Sequence, residues 1–373
     1  MAQMTGAQAL TRSLVREGVE VVFALPGVQI MEAFNALYDE PSIRLVLVRH
    51  EQTAAYMADG YARTTGKPGV AMVVPGPGAL NAAAAVGTAF ASSSPVMLIS
   101  GQIESYNLGV NRGALHEVGE QLDVFNHLTK WCARTTESSE IPGLVHQAME
   151  QLTTGRPRPV EIEIPWDILP DQTEIELLEQ EVHPKTRPEP KAVKEAAEAL
   201  AHAERPLIWA GGGAREADLS HELLELAQAL NAPVITTPEG KGTFPEDNPL
   251  SLGAIYNGHG AGHHAVPQAD VILAIGSRMH MVPPVDWSPQ PHQKLIQIDA
   301  DPEELGRNIP TTTGMAADGR LALQDLLAEL GGKSRASQWT QGDIDAIRDA
   351  TRTEIQAMAP LQVEIIDTMR QEL

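Results

Sequence analysis

The chain is poor in cysteine, in aromatic residues and in positive charge. Cys132 is its single cysteine, so no internal disulfide can form, and the composition fits a reducing compartment. Aromatics make up 4% of the residues; small aliphatic side chains dominate instead, which suits sheets packed closely by helices. Lys and Arg number 27 against 49 Asp and Glu, a formal charge of −22. That balance opposes binding to nucleic acid or to anionic membrane surfaces. Long apolar runs are also missing. The stretch from Ala82 to Ala91 is too short to span a bilayer, and Met1 to Val15 lacks a basic segment followed by an apolar core, so no signal peptide is expected. These absences point to a cytoplasmic protein with neither a nucleic acid nor a membrane as partner.

What is present is an alternation. With 373 residues and 43% hydrophobic content, the chain can build two or three domains. Helical spacing over Gln8–Glu17, Gln29–Tyr38, Thr53–Thr64, Leu80–Ala91 and Ile141–Leu152 is interleaved with short apolar runs. The runs are Val19–Leu25, Leu45–Val48, Val70–Val74, Val96–Ser100 and Val160–Ile164. Strands alternating with helices predict a doubly wound α/β domain whose parallel sheet is covered on both faces. A second such pattern begins with a helix at Ala192–Ala203 and strands at Leu207–Ala210 and Val234–Thr237, and continues through Val271–Ile275 and Leu295–Asp299. The expected division is residues 1–169, a Pro- and Glu-rich linker 170–190, a Rossmann-like domain 191–335, and a helical segment 336–373 that ends without a stop signal.

Two features carry chemistry. Glu51 sits in Arg49-His50-Glu51, directly after the run Ile43–Val48, and a carboxylate at the end of a strand expected to be buried is costly unless something requires it. Farther on, Gly76-Pro77-Gly78 ends one strand and opens a helix with Asn81 in its first turn. A turn of that composition lets backbone approach a flat ligand closely.

These residues, with Gly18-Val19 to Pro26-Gly27, the block Arg49 to Gly66, Ser94-Pro95-Val96 to Gly101-Gln102, and Glu161-Ile162-Glu163-Ile164-Pro165, resemble the pyrimidine-binding domain of thiamine diphosphate enzymes of the acetohydroxyacid (acetolactate) synthase group. A weaker resemblance to the central domain of that family runs from about Arg205 to Asn308. The resemblance implies that Glu51 shares a proton with N1′ of the aminopyrimidine and that the backbone of Gly76, Pro77 and Gly78 lies against that ring. It further implies that Asn81 bridges or caps at the helix start and that Pro26 and Gly27 face the thiazolium. His116 stands where the family has a glutamine, and either proton transfer or hydrogen bonding is open to it. Lys130 matches a family lysine. Leu25 and Val28 depart from the aromatic and glycine that usually flank the Pro-Gly.

The implied activity is decarboxylation of a 2-oxo acid or carboligation, in a homodimer or tetramer. Thiamine diphosphate and Mg2+ are the implied cofactors. The third domain of the family, which holds diphosphate and Mg2+ through a Gly-Asp-Gly…Asn-Asn pattern, has no counterpart here. Ala317-Asp318-Gly319 and Gly342-Asp343-Ile344 are the nearest matches. The expectation is therefore a truncated chain or one half of a split enzyme, inactive without a separate diphosphate-binding subunit. FAD is implied for the central domain by Arg156, Gly211, Gly212, Asn257 to Gly260 and Asp299, although Gly211-Gly212-Gly213 is not a full dinucleotide fingerprint and other members bind ADP or nothing there. A non-catalytic nucleotide-binding or regulatory module, or a carboligase for oxalyl, glyoxylate or benzoyl substrates, stands as the alternative. His259, His263, His264 and His280 lack the spacing of a recognised zinc set, and no metal ligand is expected in the chain.

Overall fold

The computed structural model describes residues 1–255, 259–280, 287–332 and 336–372. The chain separates into two compact units, Met1–Pro184 and Lys185–Leu373. In the first, six strands form one parallel sheet: β2 (Val21–Ala24), β3 (Arg44–Leu47), β4 (Gly69–Val73), β5 (Val96–Gln102), β6 (Trp131–Arg134) and β7 (Val160–Pro165), in the order β3-β2-β4-β5-β7-β6. A separate antiparallel pair joins β1 (Ala2–Thr5) to β8 (Gln172–Ile175). The second unit holds β9 (Pro206–Ala210), β10 (Val234–Thr236), β11 (Ser251–Ala254), β12 (Val271–Ile275), β13 (Lys294–Asp299) and β14 (Thr313–Ala316). Their order is β11-β10-β9-β12-β13-β14, again all parallel.

Each sheet therefore reverses its winding near its middle, and the first does so again at its β6 edge, where the chain steps from β5 past β7 to β6 and back. In the first unit the chain passes from β2 outward to β3 and returns to β4 on the other side of β2; in the second the reversal lies between β9 and β12. At such a switch point the loops leaving the carboxyl ends of the strands diverge and open a crevice. Central strands are apolar throughout because helices cover both faces: β4, β5, β9 and β12 are buried along their full length.

Two helices shape the first site. Helix Glu51–Thr65 lies against helix Pro77–Ser92, and the shared core consists of Ala54, Ala55 and Ala58 with Ala79, Ala82, Ala85 and Ala89, all buried. Alanine combines high helix propensity with the smallest non-glycine side chain, so the two backbones approach closely. Helix Gly6–Arg16 begins with a reciprocal cap in which Thr5 Oγ1 accepts from the Gln8 amide and Gln8 Oε1 accepts from the Thr5 amide. Among the described residues no helix is long and apolar enough to cross a membrane.

Three expectations are revised. The strand before Glu51 is not buried: β3 is the edge strand, and Leu47 is 60% exposed. The segment expected to link the domains contains β8, which pairs with β1 and buries Ile175. Residues through Pro184 thus belong to the first unit, and Thr186 already accepts a hydrogen bond from the Asp318 amide in the second. Five strands, β1, β6, β8, β11 and β14, were not foreseen; each is a two-strand pair or a sheet edge with short, mixed sequence and no apolar run to announce it.

Candidate functional site

The carboxyl ends of β2, β3 and β4 bring the expected residues of the first unit together. Glu51 is the first residue of its helix, not the last of a strand; His50 Nδ1 caps that helix by accepting from the Gln52 amide at 3.2 Å. The half-buried Glu51 carboxyl points to the start of the neighbouring helix, where Oε2 accepts from Asn81 Nδ2 at 3.0 Å. Asn81 is thereby a bridge to the acid and not a cap. A Cβ built on Gly78 would stand 3.6 Å from Glu51 Oε1. Among the described residues Oε1 has no hydrogen-bond partner.

The Pro75–Gly78 turn is tightly determined. The Gly78 amide donates to the Pro75 carbonyl at 3.2 Å. Gly76 at its corner has φ 55° and ψ −115°, a region that a side chain disfavours. A Cβ there would also lie 2.2 Å from the His116 carbonyl oxygen. His116 sits over the turn with φ 71°, its Nδ1 3.2 Å from the Pro75 carbonyl. The loop beneath it is folded by Glu117, whose Oε2 accepts from the Gly113 and Ala114 amides at 2.6 and 2.8 Å. From β2, Gly27 presses on the same place, because a Cβ on it would meet Val74 Cγ1 at 2.3 Å. Pro26 beside it is exposed. Pro26, Gly27, Glu51, Gly76, Pro77, Gly78, Asn81 and His116 therefore converge at the switch point of the first sheet.

Lys130 does not join them. It precedes β6, at the amino ends of the strands, and its Nζ donates to the carbonyls of Gln151 and Thr154 at 2.7 Å each, at the end of helix Ile141–Thr153. An ammonium placed there satisfies last-turn carbonyls and the negative end of the helix dipole. Arg156 also lies at the amino edge, donating to Ser93 Oγ at 2.9 Å. Burial, with the Glu161 charge second, pushes the Cys132 thiol up to about 11. The thiol is thus protonated at neutral pH and unsuited to nucleophilic attack.

Beneath the turn runs a buried polar network that sequence reading did not single out. Glu161 and Glu163 on β7 are both fully buried. Glu163 accepts from Gln102 Nε2 at 3.0 Å, Arg134 Nε at 2.7 Å and Gln121 Nε2 at 2.9 Å. Glu161 Oε1 accepts from Ser100 Oγ at 2.5 Å, while its Oε2 has no partner among the described residues. Burial is the first cause raising both carboxyls; the Glu163 charge raises Glu161 further, and Arg134 opposes the rise at Glu163. Glu163, with three donors of which one is a guanidinium, is the better stabilised anion, and Glu161, with one donor, is the member that keeps its proton to higher pH. The signal was available: carboxylates at alternate positions of Val160-Glu161-Ile162-Glu163-Ile164 face the same side of a strand, where a covered sheet leaves no water.

In the second unit, Gly211 and Gly212 follow β9 at its switch point. The Gly211 amide donates to the Ile275 carbonyl at 2.8 Å and the Gly213 amide to the Gly276 carbonyl at 3.0 Å. A Cβ on Gly211 would lie 2.2 Å from that Gly276 oxygen. The close approach of two loops is a sufficient reason for these glycines, and two of the three turn amides are already engaged. Asp299 ends β13 and accepts from the Asp301 amide at 3.0 Å. Asn257 and Gly258 lie outside the described residues. Asp318, in one of the two short acidic matches, caps helix Gly319–Leu330 by accepting from the Leu321 amide. The His259 and His263 rings are 6.2 Å apart. Among the described residues no group of three His, Cys, Asp or Glu side chains is arranged to hold a metal ion.

Comparison with known proteins agrees in both units. Residues 4–124 match the thiamine pyrophosphate enzyme N-terminal TPP binding domain, and residues 193–326 match the thiamine pyrophosphate enzyme central domain. A probable acetolactate synthase large subunit of Methanocaldococcus jannaschii is 40% identical over 337 residues, covering 88% of this chain and 56% of that protein. A probable 2-ketoarginine decarboxylase of Pseudomonas aeruginosa is 37% identical over 361 residues, 96% of this chain and 63% of that protein. The acetolactate synthase large subunit of Haemophilus influenzae is 33% identical over 350 residues, 91% and 60% respectively. The chain thus spans 56–63% of the length of these relatives.

Proposed function

We propose, from the premise that the chain belongs to the thiamine pyrophosphate enzyme family, that it forms the pyrimidine-binding and central parts of a 2-oxo acid decarboxylase or carboligase of the acetolactate synthase type. The observation that carries this reading is the Glu51 carboxyl, held by Asn81 at 3.0 Å beside the Gly76-Pro77-Gly78 turn with one oxygen left open. The site fits an aminopyrimidine. The open Oε1 can share a proton with a ring nitrogen, and the turn presents backbone where a side chain on Gly76 has no room. Thiamine diphosphate supplies, when bound, the electron sink that loss of CO2 from a 2-oxo acid requires. Glu51 then holds or moves the proton at the ring nitrogen, Asn81 orients the acid, and the turn fixes the plane of approach. His116, with Nδ1 on the Pro75 carbonyl, has its other ring nitrogen for proton transfer or hydrogen bonding near the reacting carbons.

The names of the relatives support both halves of the reaction class, since one is a decarboxylase and others are acetolactate synthases. "Large subunit" in two of them supports an assembly with further chains, and a homodimer or tetramer is the proposed core. Magnesium and the diphosphate are assigned to a part of the enzyme beyond these two units. FAD in the second unit has the switch-point position in its favour and the engaged glycine amides against it, and no step depends on it. The test is exchange of the C2 proton of bound thiamine diphosphate for deuterium, in the protein assembled with its diphosphate-binding counterpart. Glu51→Gln is expected to slow that exchange by about 10²–10⁴-fold, the usual worth of a positioned acid–base group, while leaving cofactor affinity within a few-fold. Unchanged exchange in Glu51→Gln would reject the assignment, and wild-type exchange no faster than that of free thiamine diphosphate would favour a module that binds without chemistry.

A further inference from the structure

The turn against which the cofactor ring is proposed to lie is not held by its own strand. The Gly76 amide, buried and outside the sheet, donates to Gln121 Oε1 at 2.7 Å. Gln121 is fully buried, and its Nε2 donates to Glu163 Oε1 at 2.9 Å and to Ser100 Oγ at 3.0 Å. Glu163 is in turn gripped by Gln102 and Arg134, and Arg134 reaches on to Glu120. The polarity of this chain has one solution. A glutamine side chain has one accepting and one donating end. The Glu163 carboxylate only accepts, so the amide nitrogen of Gln121 must face it and the oxygen must face Gly76. Were Gln121 flipped, its carbonyl would oppose a carboxylate and its NH2 group would oppose the Gly76 N–H. Burying a carboxylate in the middle of a sheet is costly even when it is paired, and here the cost fixes the direction of one hydrogen bond to the turn.

We infer that Glu163 and Gln121 are positioning residues for the Gly76-Pro77-Gly78 turn, setting where its backbone stands relative to the Glu51 carboxyl and therefore how the aminopyrimidine is seated. This rests on the proposed function for its consequence, though not for its geometry. Neither side chain is assigned contact with the cofactor; both act through the Gly76 peptide.

The experiment has two arms. The first needs no cofactor: amide exchange at Gly76 in the 373-residue chain, resolved by NMR. In the wild type the Gly76 amide is expected to exchange as slowly as the amides of β4, although it belongs to no strand. Gln121→Met keeps the length and removes the acceptor; it is expected to speed exchange at Gly76 tenfold or more while amides at Val70 and Met72 change less than threefold. Glu163→Gln, which removes the charge that orients Gln121, is expected to move Gly76 in the same direction by a smaller factor. Fast exchange at Gly76 in the wild type overturns the inference even if the variants fail to fold. So does Gln121→Met that leaves Gly76 protected, or that loosens Gly76 and β4 equally, which would be plain destabilisation. The second arm uses the assembled enzyme. Gln121→Met is expected to weaken thiamine diphosphate binding about tenfold while C2 proton exchange of the cofactor that does bind falls less than it does in Glu51→Gln. Affinity equal to wild type overturns the positioning role. A silent Glu51→Gln would sink the proposed function alone and would leave the Gly76 measurement standing.

Discussion

Glu161 offers a quantitative test of the buried network through the dependence of stability on pH. Its carboxyl is fully buried, receives one hydrogen bond from Ser100 and lies near the charged Glu163, and both burial and that charge hold its pKa well above the ordinary carboxylate range. The sign follows from proton counting. Between the unfolded value, about 4.3, and the raised folded value, the native state holds a proton that the unfolded state has released. Stability from this group is therefore fully present below about pH 4.3 and is lost as pH rises toward the folded pKa. Each pH unit inside that window removes about 1.4 kcal/mol. Glu161→Gln imitates the neutral acid and keeps an acceptor for Ser100. Its stability should match the wild type to within about 1 kcal/mol near pH 4.5, where the remaining difference is the unpaired amide hydrogen. It should then exceed the wild type by a margin that widens as pH rises and flattens above the folded pKa. Cys132 makes the measurement specific to the first unit, because it is the sole cysteine and is paired in register with Glu161 across β6 and β7. Its pulsed labelling across a urea series, normalised at each pH to the labelling rate of the unfolded chain, reads unfolding of that sheet alone. Because the two carboxyls are coupled, the difference curve reports the pair and not one residue. Parallel wild-type and Glu161→Gln curves from pH 4.5 to 8 would refute the neutral assignment.

Other outcomes follow from single contacts. Gly76→Ala places a Cβ 2.2 Å from the His116 carbonyl at a positive φ; a loss of about 1–3 kcal/mol is expected, together with faster amide exchange across residues 113–118, and an unperturbed loop would contradict the contact. Lys130→Met should lower the stability of the first unit by about 1–2 kcal/mol, as loss of charge-assisted bonds to two carbonyls implies. It should leave C2 proton exchange of bound cofactor unchanged; a drop in that rate would return Lys130 to the site. The Cys132 thiol, pushed up to about 11 by burial against about 8.5 for a free thiol, should react with iodoacetamide at pH 7 on the order of a hundredfold more slowly in the native than in the unfolded chain. Equal rates would mean that the thiol is not shielded.

Much of the fold was legible because its strands and helices advertise themselves at the middle of each sheet. Val70–Val74, Val96–Ser100 and Val271–Ile275 read as strands because both faces of a covered parallel sheet demand apolar side chains. Edge strands obey no such demand, which is why β6, with Trp131-Cys132-Ala133-Arg134, and β14 passed unseen. β8 hid for a different reason: it pairs with a strand far away in sequence, and local composition around Gln172–Ile175 says only Pro- and Glu-rich. At the candidate site, the juxtaposition of Glu51, Asn81 and the glycine turn was legible from their motif and adjacency. Lys130 was misdirected by the same reasoning, because a residue match carries no information about which end of a strand it occupies. Gln121 could not be read at all. A lone glutamine in a polar stretch looks solvated, and only the return of the chain over Gly76 makes its amide the link between a buried carboxylate and the turn.

The alanine seam between helices Glu51–Thr65 and Pro77–Ser92 has a consequence for anyone who alters this protein. The acid rides on one side of the seam and the glycine turn opens the other, so the thickness of Ala54, Ala58, Ala82 and Ala85 is the spacer that sets their separation. Enlarging any of these side chains by a methyl group or two would wedge the helices apart and carry Glu51 off its mark. In a mutational survey such positions would look like interchangeable filler by size and polarity, yet they would behave as calibration points of the distance between the acid and the turn.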